Sequence, residues 1–131
     1  MKSRILIVDD HNDFRAMLKD YLTRSRLDIE IFEANSAEMG VAKASCVKPD
    51  VVLMDISLPK ATGFDATKII KEEMPDCDVI IITMFNINAF KQAAEGIKAT
   101  AFISKSEVCE QLLPVLTKCL NGKKSKSGVK K

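Results

Sequence analysis

The sequence predicts an α/β domain in which strands and helices alternate and the strands form one doubly wound parallel sheet. Four short apolar runs, rich in Val and Ile, are spaced along the chain, and segments with helical spacing lie between them. Such runs are typical of strands that are buried on both faces by helices. With 131 residues, of which 47% are hydrophobic and 29% charged, the chain has the size and composition of one globular domain.

The strands are predicted from composition and length. The four apolar runs cover residues 5–8, 51–54, 79–82 and 101–103. A fifth candidate, residues 28–33, alternates Ile29 and Ile31 with acidic residues, which is typical of a strand at a sheet edge.

Five helices are predicted from apolar residues that recur with i, i+3, i+4 spacing. Their marker residues are Phe14, Met17, Leu18, Tyr21 and Leu22; Ala37, Val41 and Ala44; Ala66, Ile69 and Ile70; Ile87, Phe90, Ala94 and Ile97; and Cys109, Leu112, Leu113, Leu116 and Leu120.

Capping and breaking residues set the expected helix ends. Ser36 is the expected N-cap of the second helix, and Met74-Pro75 ends the third. Because Pro114 lacks a backbone N–H, we expect a kink there or a start after Ser106, and an end near Asn121-Gly122.

Five successive βα units with right-handed crossovers place helices on both faces of the sheet. In the flavodoxin-like strand order 2-1-3-4-5, the first and third strands are neighbours. Asp9-Asp10 and Asp55, which follow those two strands, would then lie roughly 5 Å apart in the sheet direction. Thr83 and Lys105 follow the next two strands, so all five side chains are expected at the carboxyl edge, where such sheets bind ligands.

This group of side chains suggests a site for a metal ion and a phosphoryl group. Two carboxylates about 4 Å apart repel by roughly 4 kcal/mol at an effective dielectric constant near 20, so a cation or a retained proton is expected between them. Oxygen ligands without a pair of histidines favour Mg²⁺, or alternatively Mn²⁺, over zinc. A carboxylate can attack phosphorus and form an aspartyl phosphate.

Each of these residues also has a structural explanation when it is taken alone. Asp9-Asp10 can cap the following helix, and Asp55 can start a turn with Pro59 and Gly63. Thr83 can simply end a β-branched strand, and an isolated Lys105 is most often a surface residue. His11, the only histidine, is expected to be a surface loop residue and not a ligand. A shared site explains better why all of them occur at matching strand ends.

Four motifs together resemble the receiver domain of a two-component response regulator, over residues 4 to about 121. They are Ile5–Asp10, Pro49–Pro59 with Gly63, Ile81–Thr83 and Ala101–Ser106. Each motif is weak alone, but their occurrence in this order makes the resemblance strong. Two details are similar to the subfamily that carries a LuxR/NarL-type helix-turn-helix DNA-binding domain. These are Asp10-His11 followed by Phe14-Arg15, and Lys105-Ser106 in place of Lys-Pro.

The resemblance implies a role for each site residue. Asp55 would accept a phosphoryl group from a sensor histidine kinase, a phosphotransfer protein or acetyl phosphate. Asp10 would bind Mg²⁺ directly, Asp9 mainly through water, and Ser57 through its backbone carbonyl, with Asp55 completing the set. Thr83 and Lys105 would contact phosphoryl oxygens. Thr83 and Phe102 would form the switch that repacks the face of the fourth helix, fifth strand and fifth helix.

Departures from the family pattern concern the rim of the site. Met84 stands where a small residue is commoner, which would restrict access of a phosphodonor or water. Ser57 and Phe85 occupy variable positions that tune phosphoryl lifetime in the family, and a large apolar Phe85 would slow attack by water.

Three alternatives remain open at this point. A haloacid-dehalogenase-type phosphatase places a second Asp where this chain has Ser57, and it needs a longer chain. An unphosphorylated interaction module would not need the complete acidic set. A flavodoxin-like flavin binder needs a Ser/Thr/Gly-rich phosphate loop, which does not follow the first strand. The protein is therefore expected to be a signalling module and not a turnover enzyme.

Charge and cysteine content limit which partners and which cellular compartment are expected. Residues 123–131 contain five lysines and no acid, so we expect a receiver domain over residues 1–122 and a flexible Lys-rich tail or severed linker after it. A homodimer formed on phosphorylation would use helical faces that include Phe90, Ile97 or Leu113. DNA contact would need an output domain beyond these residues. We expect a cytoplasmic protein with no membrane partner and with four reduced thiols, of which Cys109 and Cys119 are buried.

Overall fold

The computed structural model describes residues 2–56, 62–84 and 99–128. It contains a five-stranded sheet with the order β2-β1-β3-β4-β5, in which all four pairings are parallel. The strands are β1 Ser3–Val8, β2 Ile29–Ala34, β3 Val51–Asp55, β4 Asp78–Thr83 and β5 Ala101–Ser104. The helices are α1 Asn12–Thr23, α2 Ala37–Val47, α3 Thr62–Glu73 and a C-terminal helix, Val108–Gly128, preceded by one 3₁₀ turn, Lys105–Glu107.

The predicted fold class and strand order are confirmed. The mixed candidate strand at residues 28–33 is β2, and it forms one edge of the sheet as its alternating pattern predicted. Three of the four apolar runs form the interior strands β1, β3 and β4, and every residue of β3 is buried. The fourth run, residues 101–103, is β5, which forms the other edge. Composition thus identified the β2 edge and the central strands, which have both faces covered, but did not distinguish β5 as an edge strand.

Two apolar cores lie on opposite faces of the sheet, because successive side chains of a strand alternate between faces. One face of β1 and β3 packs with α2 and α3, through residues that include Leu6, Val8, Val52, Met54, Ala44 and Ile70. The other face packs with α1 and the C-terminal helix, through residues that include Ile5, Ile7, Leu53, Leu18, Leu112 and Leu116. The sheet is thereby held rigidly from both sides, which fixes the positions of its carboxyl ends.

Helix ends follow the expected signals in most cases. The Ser36 side chain accepts a hydrogen bond from the backbone N–H of Met39 at 3.1 Å, so Ser36 is the N-cap of α2. The helix α3 ends at Glu73, just before Met74-Pro75. The C-terminal helix begins after Ser106 and contains Pro114.

The expected end of the C-terminal helix near Asn121-Gly122 is wrong, since the helix continues to Gly128. A single Gly costs a helix only about 1 kcal/mol relative to Ala, and no Pro follows Gly122, so the signal was too weak to end it.

The periodic faces predicted too much burial at four positions. Met17 and Ile69 are 38% and 40% exposed, although both lie on predicted apolar faces. Cys109 is exposed and Cys119 is only partly buried, so the expectation that both are buried is wrong. Helical spacing identifies a face, but the width of its contact with the sheet is set by tertiary packing.

Several predicted features lie outside the described residues: Ser57, Pro59, Phe85, and the fourth helix with Ile87, Phe90, Ala94 and Ile97. Residues 129–131 of the Lys-rich segment lie outside them as well. Among the described helices, none is both long and apolar enough to cross a bilayer.

Candidate functional site

The strand register brings the predicted side chains to one edge of the sheet. Val8 pairs with Met54, so Asp9 and Asp55 follow directly on adjacent strands. Thr83 at the end of β4 pairs with Ser104 at the end of β5, and Lys105 is the next residue. The structure therefore collects at one edge the carboxylates, hydroxyl and ammonium that the sequence placed at separate strand ends.

Burial separates this group from ordinary surface residues. Asp9, Asp55 and Thr83 are 2%, 1% and 0% exposed. The Lys105 side chain is 10% exposed, so the interpretation of Lys105 as a surface lysine is wrong. Charged side chains are seldom buried to this extent unless they are paired, which indicates mutual neutralisation within the group.

Lys105 supplies that neutralisation. Its Nζ lies 3.0 Å from Asp9 Oδ2 and 3.3 Å from Asp55 Oδ2, and thus bridges the two buried carboxylates. The ammonium also sits 4.4 Å from the centre of the Phe14 ring, which covers it on the apolar side. These contacts fix the end of a long side chain at the point where the two strands meet.

The position of His11 was not foreseen from the sequence. Its side chain is 48% exposed, in agreement with a surface location. However, its Nδ1 lies 3.1 Å from Asp9 Oδ1, 3.2 Å from Asp10 Oδ1 and 3.7 Å from Asp55 Oδ2. The only signal in the sequence was that the single histidine directly follows the acidic pair.

The loop that carries Asp9 and Asp10 is held by Arg15 from the first turns of α1. Arg15 Nη1 donates to the Asp9 carbonyl oxygen at 2.6 Å, and its Nη2 donates to Asn12 Oδ1 at 2.8 Å. Its Nε donates to Glu33 Oε1 on β2 at 3.0 Å. One planar guanidinium thus ties the loop to both the helix and the edge strand, which a lysine could not do with the same geometry.

The burial and crowding of the carboxylates change the pKa of Asp9. Burial raises the pKa of Asp9 above its ordinary value, and the charge of Asp55 raises it further, whereas the backbone N–H of His11 and the Lys105 ammonium act in the opposite direction. The net result is a raised pKa of Asp9, which shows that its existing partners do not fully offset the burial of its negative charge.

The other side of the site depends on a close approach at Gly63, near the start of α3. A Cβ at this position would lie 2.6 Å from Ile56 Cα and 2.8 Å from the Asp55 carbonyl oxygen. Both neighbours are backbone atoms and cannot move aside as a flexible side chain would. Gly63 therefore lets α3 pack directly against the chain segment that carries Asp55.

The residues fit a divalent cation. One ligand atom each from Asp9, Asp10, His11 and Asp55 can be chosen so that all lie within 4.8 Å of one another. Asp10 Oδ1 is buried and makes no hydrogen bond among the residues that the structure describes, although His11 Nδ1 lies 3.2 Å away. Burying such an atom without a hydrogen bond is costly, and a cation in the group would satisfy it.

The sequence relates this arrangement to known proteins. Residues 5–117 match the family described as response regulator receiver domain. The chain belongs to that family. Receiver domains are signalling modules of two-component systems; phosphorylation on an Asp and binding of Mg²⁺ at an acidic pocket are general for them.

Similar proteins include both short and long members of the family. The receiver is 36% identical to the chemotaxis protein CheY of Thermotoga maritima over 120 residues, which is 90% of this chain and 98% of that protein. It is 37% identical to the response regulator protein VraR of Staphylococcus aureus over 86 residues, which is 65% of this chain and only 41% of VraR.

Solved structures agree on the fold. A LuxR-family response regulator from Aurantimonas superposes with a TM-score of 0.82 at 28% identity, covering 93% of this chain and 87% of that chain. A CheY-like receiver domain protein from Methanospirillum hungatei superposes with a TM-score of 0.85 at 25% identity, covering 96% and 99% of the two chains. The receiver thus has the flavodoxin-like fold of CheY-type proteins.

Proposed function

We propose that this receiver takes up a phosphoryl group on Asp55 in the presence of Mg²⁺ and passes the signal to an output by repacking around Thr83 and Phe102. The observation that carries this proposal is the geometry at Asp55. Its carboxylate is almost fully buried, lies 3.3 Å from the Lys105 ammonium, and shares a cluster with Asp9 and Asp10. The donor would be a sensor histidine kinase, a phosphotransfer protein or acetyl phosphate.

Asp9, Asp10 and Asp55, with the backbone carbonyl of Ser57, would hold the ion; Ser57 lies outside the described residues. Mg²⁺ held there, or Mn²⁺ in its place, would neutralise the acidic cluster and stabilise the charge of phosphoryl oxygens. The buried Asp10 Oδ1, which makes no hydrogen bond among the described residues, supports direct ligation by this residue. Asp9 already pairs with Lys105 and with the His11 N–H, which supports a role through water.

Phosphoryl transfer requires an in-line attack by one carboxylate oxygen of Asp55. A P–O bond to Asp55 forms while the P–N bond of a phosphohistidine breaks, and the donor's imidazole leaves with the bonding electron pair and takes up a proton. With acetyl phosphate the leaving group is acetate. Lys105 stabilises the charge that develops on the phosphoryl oxygens, since its Nζ is already directed at Asp55.

The output step rests on residues behind the nucleophile. Thr83 is fully buried at the end of β4, and its hydroxyl would donate to a phosphoryl oxygen. Phe102, whose register partner on β4 is Ile81, packs partly buried against one of the two cores. Movement of Thr83 toward the phosphoryl group would free space for Phe102, shifting the population between two packings.

We place the receiver at residues 1–122 and a linker or tail at residues 123–131. The similarity to VraR and to a LuxR-family regulator supports an output through a helix-turn-helix domain that controls transcription. The match to nearly the whole of a CheY supports the alternative of a stand-alone receiver. Dimerisation on phosphorylation and a cytoplasmic location belong to the same proposal, as does autocatalysed phosphorylation without turnover of an external substrate.

Mass spectrometry of the intact protein after incubation with acetyl phosphate and Mg²⁺ tests the proposal. We expect one phosphoryl adduct that is absent in EDTA and absent in Asp55→Asn. Asp13→Asn is the matched control, because Asp13 is an exposed carboxylate in the first turn of α1. An adduct that survives in Asp55→Asn, or that forms equally well in EDTA, would contradict the proposed site.

A further inference from the structure

The imidazole of His11 faces the acidic cluster at distances suited to a shared ion. Its Nδ1 is almost equally distant from Asp9 Oδ1 and Asp10 Oδ1, at 3.1 and 3.2 Å. Ligand atoms bound at about 2.1 Å to one octahedral ion lie roughly 3.0 Å apart when adjacent and roughly 4.2 Å apart when opposite. The third separation, 3.7 Å to Asp55 Oδ2, falls between these values.

The surroundings of the ring allow Nδ1 to act as a ligand. Lys105 Nζ lies 3.3 Å from Nδ1, and because an ammonium can only donate, this contact suits a ring nitrogen that carries a lone pair. The Asp9 and Asp10 oxygens at 3.1 and 3.2 Å only accept, so their contacts with Nδ1 require a proton or a shared cation between the atoms. The side chain is about half exposed, so Nε2 can keep its proton and be hydrated. Backbone geometry also holds the residue in place, since the His11 N–H donates to Asp9 Oδ1 at 2.8 Å.

We infer that His11 is a further ligand of the metal held by Asp9, Asp10 and Asp55, and that it extends the preference of the site from Mg²⁺ to imidazole-accepting divalent ions such as Zn²⁺. The inference rests on the metal site of the proposed function. Carboxylates and water suit Mg²⁺, whereas an imidazole nitrogen suits Zn²⁺, Ni²⁺ and Co²⁺. A receiver with this residue would therefore bind, and respond to, a wider set of ions than its carboxylates alone allow.

The single histidine makes the inference directly testable. In a sample labelled with ¹⁵N and free of any histidine tag, every imidazole signal belongs to His11. Titration with Zn²⁺ is expected to move the Nδ1 resonance and leave Nε2 protonated. Asp10→Asn is expected to abolish this change, which separates the proposed site from Zn²⁺ bound at the exposed thiols Cys46 and Cys109.

Affinity measurements complete the test. In His11→Asn, which offers an amide oxygen in place of the ring nitrogen, we expect the affinity of the Asp10-dependent site for Zn²⁺ to fall at least ~10-fold. The affinity for Mg²⁺ is expected to change less than ~3-fold, which also shows that the variant is folded.

The outcomes separate the inference from the proposed function. If the protein binds Mg²⁺ but Zn²⁺ does not move the Nδ1 resonance of His11, the inference alone is overturned. It is also overturned if Zn²⁺ still moves that resonance in Asp10→Asn. Equal losses of Zn²⁺ and Mg²⁺ affinity in His11→Asn would also overturn it. Failure of the wild-type protein to bind either ion would overturn the metal site itself and the inference with it.

Discussion

At the scale of single residues, the site is a balance between buried acids and the few groups that offset them. Lys105 contacts two carboxylates that are almost fully buried, and Arg15 holds the carbonyl of one of them. The pKa of Asp9 nevertheless stays raised, chiefly by burial and further by the charge of Asp55, so its ionised form is not fully compensated. A metal ion bound to the carboxylates would complete this compensation and prepare the site for the negative charge of a phosphoryl group.

Removing the Lys105 charge should destabilise the folded protein. We expect Lys105→Met to lower the free energy of unfolding by about 1–3 kcal/mol in EDTA, because the buried carboxylates lose their common partner. Urea unfolding measures the change. Lys19→Met is the control, since Lys19 pairs with Glu33 at the surface and its loss should cost less than about 1 kcal/mol. Equal losses in the two variants would contradict a special role of Lys105.

Glu33 provides a pH-dependent contribution to stability. Although burial acts to raise the pKa of Glu33, hydrogen bonds and charges from Lys19 and Arg15 lower it below its ordinary value of 4.5. Because the folded-state pKa is depressed, the contribution is fully present above the unfolded-state pKa and is lost as the pH falls through the folded-state pKa.

The corresponding variant is Glu33→Gln. Its difference in unfolding free energy from the wild type should be largest above pH 4.5 and should vanish in more acidic solution. Urea unfolding between neutral pH and the acid range measures this difference. A difference that grows on acidification would show that the ion pairs with Arg15 and Lys19 are not the cause.

At the scale of elements, the site depends on how closely helices approach the strand ends. The helix α1 begins after His11 and places Arg15 under the β1 end, while α3 packs directly on the residue after Asp55. The 3₁₀ turn that starts at Lys105 ends β5 and directs the chain into the C-terminal helix. Each junction fixes one group of the site, so its precision comes from backbone contacts and not from flexible side chains.

The Gly63 contact makes this dependence measurable. We expect Gly63→Ala to cost about 1–3 kcal/mol of stability and to weaken phosphorylation of Asp55, because its Cβ meets only backbone at 2.6 and 2.8 Å. Thermal unfolding and adduct yield with acetyl phosphate measure the two effects.

Gly122→Ala is the matched control. It lies in the C-terminal helix with nothing within 4 Å of an added Cβ, so the substitution should stabilise by up to about 1 kcal/mol. Destabilisation by both substitutions, or by neither, would contradict the close approach at Gly63.

At the scale of the whole molecule, two cores clamp the sheet while the charged groups gather at one edge. Any ligand that binds the folded acidic cluster but not the unfolded chain must raise stability. The fold and the metal site are therefore linked, and the unfolding midpoint reports on the site even without phosphorylation.

We expect Mg²⁺ to raise the free energy of unfolding with the logarithm of its excess over the dissociation constant, by about 2.7 kcal/mol at a hundredfold excess, and the unfolding midpoint rises with it. Asp10→Asn should remove most of this gain, since Asp10 Oδ1 is buried and makes no hydrogen bond among the described residues. Asp13→Asn changes the net charge equally but should keep the gain, because Asp13 is an exposed residue of α1. A gain of similar size in both variants would indicate nonspecific screening. Scanning calorimetry with and without Mg²⁺ makes the comparison.

The amino-acid sequence by itself determined the strands, their order and the edge at which Asp9, Asp55, Thr83 and Lys105 meet. It could do so because apolar runs buried on both faces and polar residues at their ends are local patterns with few compatible folds. The site roles of these residues and of Ser57 remain predictions.

Only the tertiary structure decided the burial of Lys105, the position of the His11 ring and the extent of the C-terminal helix. These depend on contacts between residues far apart in the chain, such as Lys105 with His11, whose separation of 94 positions leaves no trace in local spacing. The periodic spacing likewise predicted which face of each helix is apolar, but not how much of that face other elements cover, as the exposure of Ile69 and Cys109 shows. A pattern along the chain identifies what can pack together, whereas distances between charged atoms follow only from how the packed elements are set against one another.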